Sequence, residues 1–439
     1  MHDLDHLRAA LDGDLLTPRS PGYHAARRPA MVRYGGVRPR AVVRCASVRD
    51  VAAALAHARD TGTRVVPRGG GHCFAGRSST DGVALDLGRL ATVDVAADGV
   101  ATIGAGARLA QVYDGLHERG RTLPAGCGPT VAIAGLTLGG GLGLIGRRYG
   151  LTCDALVGAR VVLADGRVVD CDADREPDLF RALRGAGGGH FGVVTSFRFA
   201  TVPEPLATRF ELLWPDAATA AVVAAWQEWA PDAPDDVTAD LAVVAEPGRP
   251  LRVAVFGAAL RGGEATSVVL AGLAEAAGTR PRAELRAGLC VRDLKRSFAD
   301  PDGAGTRMTT RSELFDRSLP GAAIGTLLDE LATGPLRGRR ELAFTALGGA
   351  YDGVPTDATA FAHRGRRFLL GHVGAEATGW VDRSWAVAHE HGSGGVYANF
   401  PDPRLAGGAE AYHGANLSRL TAVKRAYDPG RLFDFAQAV

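Results

Sequence analysis

The sequence predicts an α+β protein with a two-part N-terminal domain and a second domain of one large antiparallel sheet covered by helices on one face. Two observations predict this class. Residues 41–66 alternate strand, helix and strand, whereas residues 206–395 alternate Ala-rich helices with apolar strands. We therefore expect a first domain over 1–205 and a second over 206–395, with 396–439 returning to the first.

The first subdomain is expected to open as a β-α-β unit. Residues 41–44 are an apolar strand, Ser47 offers a helix N-cap, and Asp50 follows at the capping-box spacing. Gly62 ends that helix, and residues 64–66 form a buried strand that runs into a glycine loop. A mixed α+β subdomain follows, with strands expected over 83–87, 93–95 and 101–104 and a helix over 109–119.

Turn signals and apolar runs predict the remaining elements. Asp165-Gly166 separates two apolar runs, which indicates a β-hairpin over 159–170. A short helix over 178–184 and a strand over 193–199 complete the first domain, which the chain leaves at 202–205. In the second domain we expect helices over 217–230, 267–277 and 321–333 and strands over 241–245, 251–260 and 342–347.

Composition and charge exclude several classes of protein. The 439 residues carry a formal net charge of +2 without a basic stripe, so a nucleic-acid partner is not expected. The N-terminus lacks a signal-peptide pattern and no apolar run approaches membrane-spanning length, so we expect a cytoplasmic protein without a membrane partner. The six scattered cysteines are interpreted as free thiols, and the histidines show no metal-ligand spacing, so no metal site is predicted.

Two glycine-rich loops are the most informative feature of the chain. One is Arg68-Gly69-Gly70-Gly71-His72, and the other spans residues 127–146. Glycines let a backbone adopt left-handed conformations and bring its N–H groups against a ligand. Two such loops predict a large, flat, anionic ligand held along its length, for which a dinucleotide cofactor is the natural candidate.

A nicotinamide-binding fingerprint is present but fails on context. Gly141-x-Gly143-x-x-Gly146 has the required spacing, and Asp165 follows it behind an apolar run. The fingerprint must open a helix that packs on a sheet, and Gly150 leaves no room for one. Asp165 is better used in the turn of the predicted hairpin.

Three residues have both a structural and a chemical interpretation. His72 is either a loop histidine satisfied by backbone hydrogen bonds or, because a neutral imidazole nitrogen is nucleophilic, a covalent cofactor ligand. Cys127 is either a small buried hydrophobe or an exposed, reactive thiol. Tyr412 is either a core aromatic or part of a polar site. Taken alone, the residues favour the structural interpretation for His72 and Cys127, whereas the polar context of Tyr412 argues against simple packing.

Ordered sequence blocks along nearly the whole chain resemble the berberine-bridge-enzyme-like FAD-linked oxidases, within the larger family that binds FAD as vanillyl-alcohol oxidase does. The blocks are residues 68–72, 129–131 with 139–141, 148–151, 187–195, 348–350 with 360–364, 397–402, 412–416 and 427–429. Their order and spacing make the match more specific than any single motif. The resemblance implies an oxidoreductase with FAD as its cofactor.

The resemblance also implies how the cofactor is attached. In that family the histidine of the first loop bonds to the flavin 8α carbon, and His72 matches it. Many members add a bond from a cysteine to flavin C6, but here Gly128 stands at the matching position and Cys127 lies one residue upstream. A second bond is therefore left open. Val131 matches the residue that controls oxygen access, and valine resembles the oxygen-reactive members, which implies an oxidase.

For the chemistry, the resemblance implies hydride transfer to the flavin while a base removes a proton from the substrate. Tyr412 matches a tyrosine that is the base in several members, although a tyrosine pKa of about 10 needs a nearby cation or hydrogen-bond donor. Tyr351 is a second-tier candidate for substrate contact. We expect Asn416 and Asn399 to hold the isoalloxazine edge or Tyr412 by hydrogen bonds.

Other cofactor contacts are expected from both loops and two later segments. The loop N–H groups should hold the pyrophosphate, and residues 189–195 should line the adenine end. The expected cofactor-binding residues are Arg68, Gly69, Gly70, Gly71, His72, Cys127, Thr130, Val131, Gly135, Thr137, Gly140, Gly143, Gly189, Val193, Tyr397, Asn399 and Asn416.

The sequence therefore predicts an FAD-dependent oxidase that takes a hydride from a secondary alcohol, or a similar C–H next to a heteroatom, of a sugar or natural product. Its partners would be that small molecule and O2, with H2O2 as a product. The alternatives are an oxidative cyclase or desaturase of polyketide- or alkaloid-like secondary metabolism, a dehydrogenase with another electron acceptor, and a non-catalytic flavin-binding protein.

Overall fold

The computed structural model describes residues 2–299, 308–334, 336, 338–375, 379–405 and 407–439, and it confirms the α+β class. Two sheets and a short two-stranded ribbon form the first part of the chain. Its helices and strands are α1 (His2–Ala9), β1 (Asp14–Leu16), α2 (Tyr23–Ala26), β2 (Ala41–Arg44), α3 (Val48–Thr61), β3 (Val65–Arg68), β4 (Val83–Asp86), β5 (Val93–Val95), β6 (Val100–Gly104), α4 (Leu109–His117), β7 (Arg121–Thr122), α5 (Ile133–Leu138), α6 (Gly146–Tyr149), β8 (Leu156–Val162), β9 (Val168–Cys171), α7 (Pro177–Ala182), β10 (Val193–Ala200) and β11 (Val202–Pro203).

The predicted β-α-β unit is present at the start of the chain. Strands β2, β4 and β3 run parallel within a four-stranded sheet ordered β1-β2-β4-β3. The Ser47 hydroxyl accepts the N–H of Asp50, and the Asp50 carboxylate accepts the N–H of Ser47, so the predicted capping box closes the start of α3. Gly62 ends α3 with a φ of 63°. Strand β3 then leads directly into the first glycine loop.

The second sheet is antiparallel and contains the predicted hairpin. Its order is β5-β6-β10-β8-β9, with Val162 opposite Val168 across the Asp165-Gly166 turn. Helix α6 is only four residues long and ends at Gly150. As expected, no helix of useful length follows the nicotinamide-type fingerprint, so this segment does not form a dinucleotide-binding unit of that kind.

The second part of the chain is one seven-stranded antiparallel sheet, ordered β15-β12-β14-β13-β17-β18-β16. Helices α8, α9, α11 and α12 cover one face, where Phe210, Trp226 and Phe344 are buried. The elements are β12 (Leu206–Trp214), α8 (Thr219–Asp232), β13 (Val237–Ala245), β14 (Arg252–Ala259), α9 (Gly263–Ala276), β15 (Arg282–Cys290), α10 (Val291–Ser297), β16 (Met308–Phe315), α11 (Gly321–Ala332), β17 (Arg340–Ala346), β18 (Phe368–Ala375) and α12 (Trp380–His389).

We call the opposite face of this sheet, which carries Asp240, Phe256, Ala258 and Thr345, the inner face. Ala258 packs against the second glycine loop at Leu144, so the inner face meets the first part of the chain. Helix α10 lies on the same side and contacts α4. Residues 396–439 contain α13 (Gly408–His413) and α14 (Leu417–Tyr427), and α14 packs on α7. The boundaries at 205 and 395 stay predictions.

The sequence missed several elements of the large sheet. Strand β15 was not predicted because it is an edge strand whose side chains are nearly all exposed, so it lacks an apolar pattern. Strands β16 and β18 and helices α10 and α12 were also missed. Within the described residues, no helix combines the length and the apolarity that crossing a membrane requires.

Candidate active site

The two glycine loops meet directly. A Cβ atom at Gly70 would lie 2.7 Å from the backbone nitrogen of Ala132 and 2.8 Å from Nη1 of Arg108. Gly71 has a φ of 74°, and a Cβ there would lie 2.9 Å from the backbone of Ala30. Only glycine allows this approach, so the loops form one continuous wall.

His72 lies where the loops join. Its Nε2 is 3.0 Å from the hydroxyl of Thr130, which leaves the other ring nitrogen, Nδ1, for a further bond. Burial lowers the pKa of His72, and the nearby Arg108 guanidinium lowers it further. Arg108 itself donates to the carbonyl oxygen of Thr130 at 2.7 Å. The imidazole is therefore neutral near pH 7, which is the nucleophilic form.

Cys127 comes directly before a turn that begins at Gly128 and ends at Val131. The N–H of Val131 donates to the carbonyl of Gly128 at 3.1 Å, and a Cβ at Gly128 would lie 2.8 Å from the Val131 side chain. The Cys127 thiol packs with the apolar cluster of Ala258 and Leu294 from the second domain. Burial raises its pKa, and the carboxylate of Asp240 acts in the same direction. The Cys127 thiol is thus protonated, and it lies against the inner face of the large sheet.

The C-terminal segment closes over the second loop. The Tyr397 hydroxyl oxygen accepts the N–H groups of Gly141 and Leu142 at 2.9 and 3.1 Å and the side-chain amide of Asn399 at 3.0 Å. Asn399 also donates to the carbonyl of Leu136 at 2.9 Å. Both residues therefore fix the backbone of the second loop, while their direct contact with a cofactor stays a prediction.

Buried polar atoms without partners lie beside this cradle. Thr137 Oγ1, His190 Nδ1 and His413 Nδ1 have no hydrogen bond to any described residue. Burial holds the pKa of His190 well below its usual range and lowers that of His413 to about 4, so both are neutral. Gly135 faces open space, and Gly189 has a φ of 84°. Unsatisfied groups beside glycines are what a polar cofactor would satisfy.

The side chains of Arg68 and Val193 pack within the first part of the chain. The Arg68 guanidinium donates to the carbonyls of Ala26 and Arg27 and lies 3.7 Å from the Asp86 carboxylate. It holds α2 against the parallel sheet. Val193 is only 1% exposed and its side chain belongs to the core of the first domain. Cofactor binding by the loop of Arg68 and by the segment of Val193 stays a prediction.

Tyr351 and Asn416 also serve the protein's own backbone. The Tyr351 hydroxyl accepts the N–H of Gly143 at 3.2 Å and donates to its carbonyl at 3.0 Å, so the phenol braces the second loop. Its contact with substrate stays a prediction. The Asn416 amide donates to carbonyls within 356–360, and its oxygen accepts from Arg181 at 2.5 Å. These bonds hold the amide in place, and the expected contact of Asn416 with the isoalloxazine edge or Tyr412 stays a prediction.

Tyr412 is buried near the continuation of the first loop, with the Arg77 guanidinium 5.7 Å from its ring centre. Its hydroxyl accepts the N–H of Asp402 at 2.7 Å and lies 3.3 Å from two acceptors, the Asp402 carbonyl and Oε1 of Gln437. Burial raises its pKa, and the Asp402 N–H and Arg77 oppose that shift. These surroundings favour the protonated phenol, and its role as base stays a prediction.

Sequence reasoning missed Asp240, which lies on the inner face. It is the only charged residue of β13, and its neighbour across β14 is Phe256. One carboxylate oxygen accepts the N–H of Ala346 at 3.2 Å. Burial raises its pKa to about 7, against the opposing effects of that N–H and the Arg147 guanidinium. The sequence signal that could have identified Asp240 is a single acidic residue within an otherwise uncharged strand.

Two buried cations join the second loop to the second domain. Lys295, on α10, donates to the carbonyl of Ala125, and its ammonium lies 5.2 Å from the Tyr113 ring centre. Its charge opposes the rise in the pKa of Cys127. Arg147, at the end of the second loop, is fully buried and donates only to backbone carbonyls of the second domain. The loop that carries Cys127 is therefore fixed from both sides.

A cradle of two glycine loops around a neutral histidine defines a site for a dinucleotide-type cofactor. Comparison with known proteins identifies the family to which this cofactor-binding protein belongs. The model for an FAD binding domain matches residues 39–172, and the model described as berberine and berberine like matches residues 396–439. The FAD-linked oxidoreductase YgaK of Bacillus subtilis (strain 168) is 31% identical over 450 residues, covering 98% of each chain. The chain belongs to the berberine-bridge-enzyme-like family of FAD-linked oxidoreductases.

Further relatives and solved structures agree with this assignment. The chitooligosaccharide oxidase of Gibberella zeae is 30% identical over 91% of this chain and 87% of its own. The structure of BBE-like 1 from Physcomitrella patens has a TM-score of 0.90 at 27% identity, covering 99% of this chain and 98% of that one. Glucooligosaccharide oxidase from Acremonium strictum, described with a 6-S-cysteinyl, 8α-N1-histidyl FAD, has a TM-score of 0.90 at 25% identity, covering 100% and 99%.

The residues present fit FAD. The glycine cradle allows the close backbone approach that this cofactor requires, and it lies around the neutral His72. The free polar atoms that the cofactor requires are those of Thr137, His190 and His413. The protein is thus an FAD-linked oxidoreductase, as the sequence predicted.

Proposed function

We propose that this enzyme oxidises a secondary alcohol, or a similar C–H next to a heteroatom, of a sugar. Bound FAD supplies the hydride acceptor. The observation that carries the proposal is Asp240: a carboxyl with a pKa of about 7 stands on the inner face, beside the loop of Cys127. A hydroxyl group that loses a hydride from its carbon must also lose its proton, and Asp240 is suited to accept it.

The arrangement around Asp240 supports this role. The Ala346 N–H occupies one carboxylate oxygen and fixes its orientation, while the side chain remains partly exposed. Its raised pKa makes it a stronger base than an ordinary aspartate while leaving much of it ionised at neutral pH. The Asp240 carboxylate also raises the pKa of the Cys127 thiol, so the negative charge of Asp240 acts on the second glycine loop.

The class of substrate follows from the half-exposed part of the inner face and from the relatives. Along β17, Glu341, Ala343 and Thr345 point to the inner face and alternate with buried residues, so this strand offers a carboxylate and a hydroxyl to a ligand. Such groups suit the hydroxyls of a carbohydrate. Relatives that cover most of the chain are named chitooligosaccharide and xylooligosaccharide oxidases.

Oxygen is the proposed electron acceptor, with H2O2 as the second product. The proposal is supported by Val131, a small side chain at the end of the turn that begins at Gly128, next to Thr130 and His72. A small residue leaves space beside the cofactor edge, whereas a bulkier one would fill it.

The function is tested by mixing the oxidised holoenzyme anaerobically with a panel of oligosaccharides, monosaccharides and polycyclic alcohols. We expect an oligosaccharide to bleach the flavin absorbance and, after air is admitted, H2O2 to form in proportion to product. Bleaching without H2O2 on aeration would identify a dehydrogenase. If no donor bleaches the flavin, the protein binds FAD without catalysing a reaction and the proposal fails.

We further propose that FAD is covalently attached through His72. The neutral imidazole, with Nε2 oriented by Thr130 and Nδ1 available, is the nucleophile that an 8α bond requires. Cys127 lacks comparable support, because its thiol has a raised pKa and packs toward the inner face. Substitution of Cys127 therefore tests whether the flavin also forms a second covalent bond, to that cysteine.

Replacing His72 with alanine is expected to release the flavin. In the wild type, acid precipitation should leave the yellow colour with the protein, whereas His72→Ala should lose it to the supernatant, because no covalent bond remains. Peptide mapping by mass spectrometry should find flavin on the peptide that contains residue 72. Cys127→Ser is the matched variant: retention of flavin there shows that His72 is sufficient. Complete release of flavin from the wild type would contradict the proposal.

A second function, an oxidative cyclase or desaturase acting on a polyketide- or alkaloid-like substrate, is favoured by one observation. Near Asp240 the inner face also carries Phe256, Leu314 and Leu369, of which Phe256 is partly exposed. An apolar surface suits a polycyclic substrate better than a sugar. Product analysis separates the two functions, since a cyclase yields a new ring and the oxidase yields a carbonyl compound.

A further inference from the structure

We propose a binding site for a divalent metal of the zinc class at the junction of the two domains, formed by His117, Glu204 and Cys290. This site is separate from the proposed oxidation chemistry and depends on none of it. The sequence predicted no metal site because the three residues are about 90 positions apart and match no ligand-spacing pattern.

Folding brings the three side chains together. His117 ends helix α4 of the first domain, Glu204 follows β11 where the chain crosses between domains, and Cys290 ends the edge strand β15. His117 Nδ1 lies 2.6 Å from Glu204 Oε2. One ligand atom from each residue, the imidazole nitrogen, a carboxylate oxygen and the thiol sulfur, lies within 4.8 Å of the other two. A metal ion bonded to all three would need only small side-chain movements.

Backbone contacts already orient two of the ligands. The second oxygen of Glu204 accepts the N–H of Arg292 at 3.0 Å, and the Glu204 side chain is 8% exposed. Both the backbone N–H and the carboxylate of Asp293 hydrogen-bond the Cys290 thiol. Outer hydrogen bonds of this kind set the direction of metal ligands. The backbone of Cys290 is also held in the large sheet, where Cys290 pairs with Leu206 of the neighbouring strand β12.

The donor set determines the class of metal. Nitrogen, sulfur and one carboxylate oxygen suit zinc and cobalt, whereas calcium and magnesium prefer oxygen ligands alone. With three protein ligands, the fourth tetrahedral position remains for water. A thiolate and a carboxylate together balance the charge of the ion, so the partly buried site would be neutral overall.

The surroundings do not oppose a cation. The Arg292 guanidinium is directed to the carboxylate of Asp293 at 3.1 Å, and the Arg296 guanidinium lies 3.7 Å from the same carboxylate. Arg296 also pairs with Asp114 at 2.6 Å. The nearby positive charges are therefore matched by carboxylates.

The position of the site indicates its role. Helix α10 begins at Val291, directly after Cys290, and carries Lys295 to the carbonyl of Ala125 beside Cys127. A metal held by both domains would anchor the start of this helix. It would stabilise the docking of the two domains without contacting the cofactor.

The test uses the untagged holoenzyme, treated with a chelator and then titrated with Co²⁺. We expect ligand-field absorption bands at wavelengths longer than those of oxidised flavin, with intensity that rises to one Co²⁺ per chain, and displacement of the cobalt by Zn²⁺. Cys290→Ser and His117→Ala should each weaken Zn²⁺ binding by more than about 100-fold, because even changes to the outer partners of metal ligands cost about 10–100-fold.

A matched control is Cys171→Ser, a buried cysteine of the first domain whose thiol donates to the carbonyl of Ala159. It should leave the cobalt spectrum and the Zn²⁺ affinity unchanged. The proposal is overturned if the wild type shows no long-wavelength bands, or if the bands persist in both Cys290→Ser and His117→Ala. Should Cys290→Ser fail to fold, His117→Ala and Glu204→Gln provide the same test.

Discussion

Replacing Asp240 with asparagine is expected to lower the rate constant of flavin reduction by ~10²–10⁴-fold, the contribution of a positioned general base. Asparagine keeps the size of the side chain and can still accept the N–H of Ala346, so the fold should be preserved. It cannot accept a proton from the substrate. The measurement is anaerobic stopped-flow bleaching of the flavin at saturating substrate.

The pH dependence of the same rate provides an independent test. The pKa of Asp240 is raised to about 7, so its basic form is lost as the pH falls through 7. Flavin reduction by the wild type should therefore rise with pH across this value and reach a plateau above it. The charged and titratable groups that face Asp240 are Arg147, Tyr351 and Cys127. The asparagine variant should lose this transition.

Two further variants separate the role of Asp240 from that of Tyr412 and from a general effect of removing a carboxylate. Tyr412→Phe tests the base that the sequence resemblance implied: a loss as large as that of Asp240→Asn, with no transition near pH 7, would return the role to Tyr412. Asp235→Asn removes an exposed carboxylate that lies shortly before Asp240 in the chain. The flavin of this variant should be reduced at the wild-type rate. A wild-type rate for Asp240→Asn would remove Asp240 from the reaction.

Replacing Arg147 with methionine is expected to lower the free energy of unfolding by about 3–5 kcal/mol, because several buried acceptors lose their donor at about 1–3 kcal/mol each. The guanidinium donates to the carbonyls of Val237 at 2.9 Å, Pro231 at 2.8 Å and Ala233 at 2.5 Å, and also to that of Leu347. Methionine fills a similar volume but donates to none of them.

Arg148 offers a matched control because it is the next residue and is exposed. Arg148→Met should change the free energy of unfolding by no more than about 0.5 kcal/mol, as surface substitutions do. The measurement is denaturant unfolding followed by tryptophan fluorescence, together with flavin fluorescence to report the second loop. Equal midpoints for the two variants would show that the Arg147 hydrogen bonds do not hold the domains together.

The parts of the site that the sequence predicted are local. The Gly69–His72 loop could be placed because it follows a buried strand directly, and the capping box of Ser47 and Asp50 depends on residues three positions apart. Such features require only the geometry of one segment.

What the sequence did not predict concerns side chains whose partners are distant in sequence. Asp240 owes its orientation to the N–H of Ala346, more than 100 positions away, and its pKa to burial between two domains. Tyr351 and Asn416 belong to recognisable blocks, but a block does not state which way a side chain points. In the structure the Tyr351 hydroxyl bonds the backbone of Gly143, and the Asn416 amide bonds backbone carbonyls within 356–360 and the Arg181 side chain. Only the assembled sheet shows which strand residues share the inner face.

The bonds from Tyr397 to Gly141 and Leu142 have a consequence for the order of biosynthesis. More than 250 residues separate the two partners, so a growing chain leaves those amides unmatched until nearly all of it has emerged from the ribosome. We therefore expect flavin loading to follow translation, and a chain truncated before residue 397 to lose the hydrogen bonds that hold the second glycine loop.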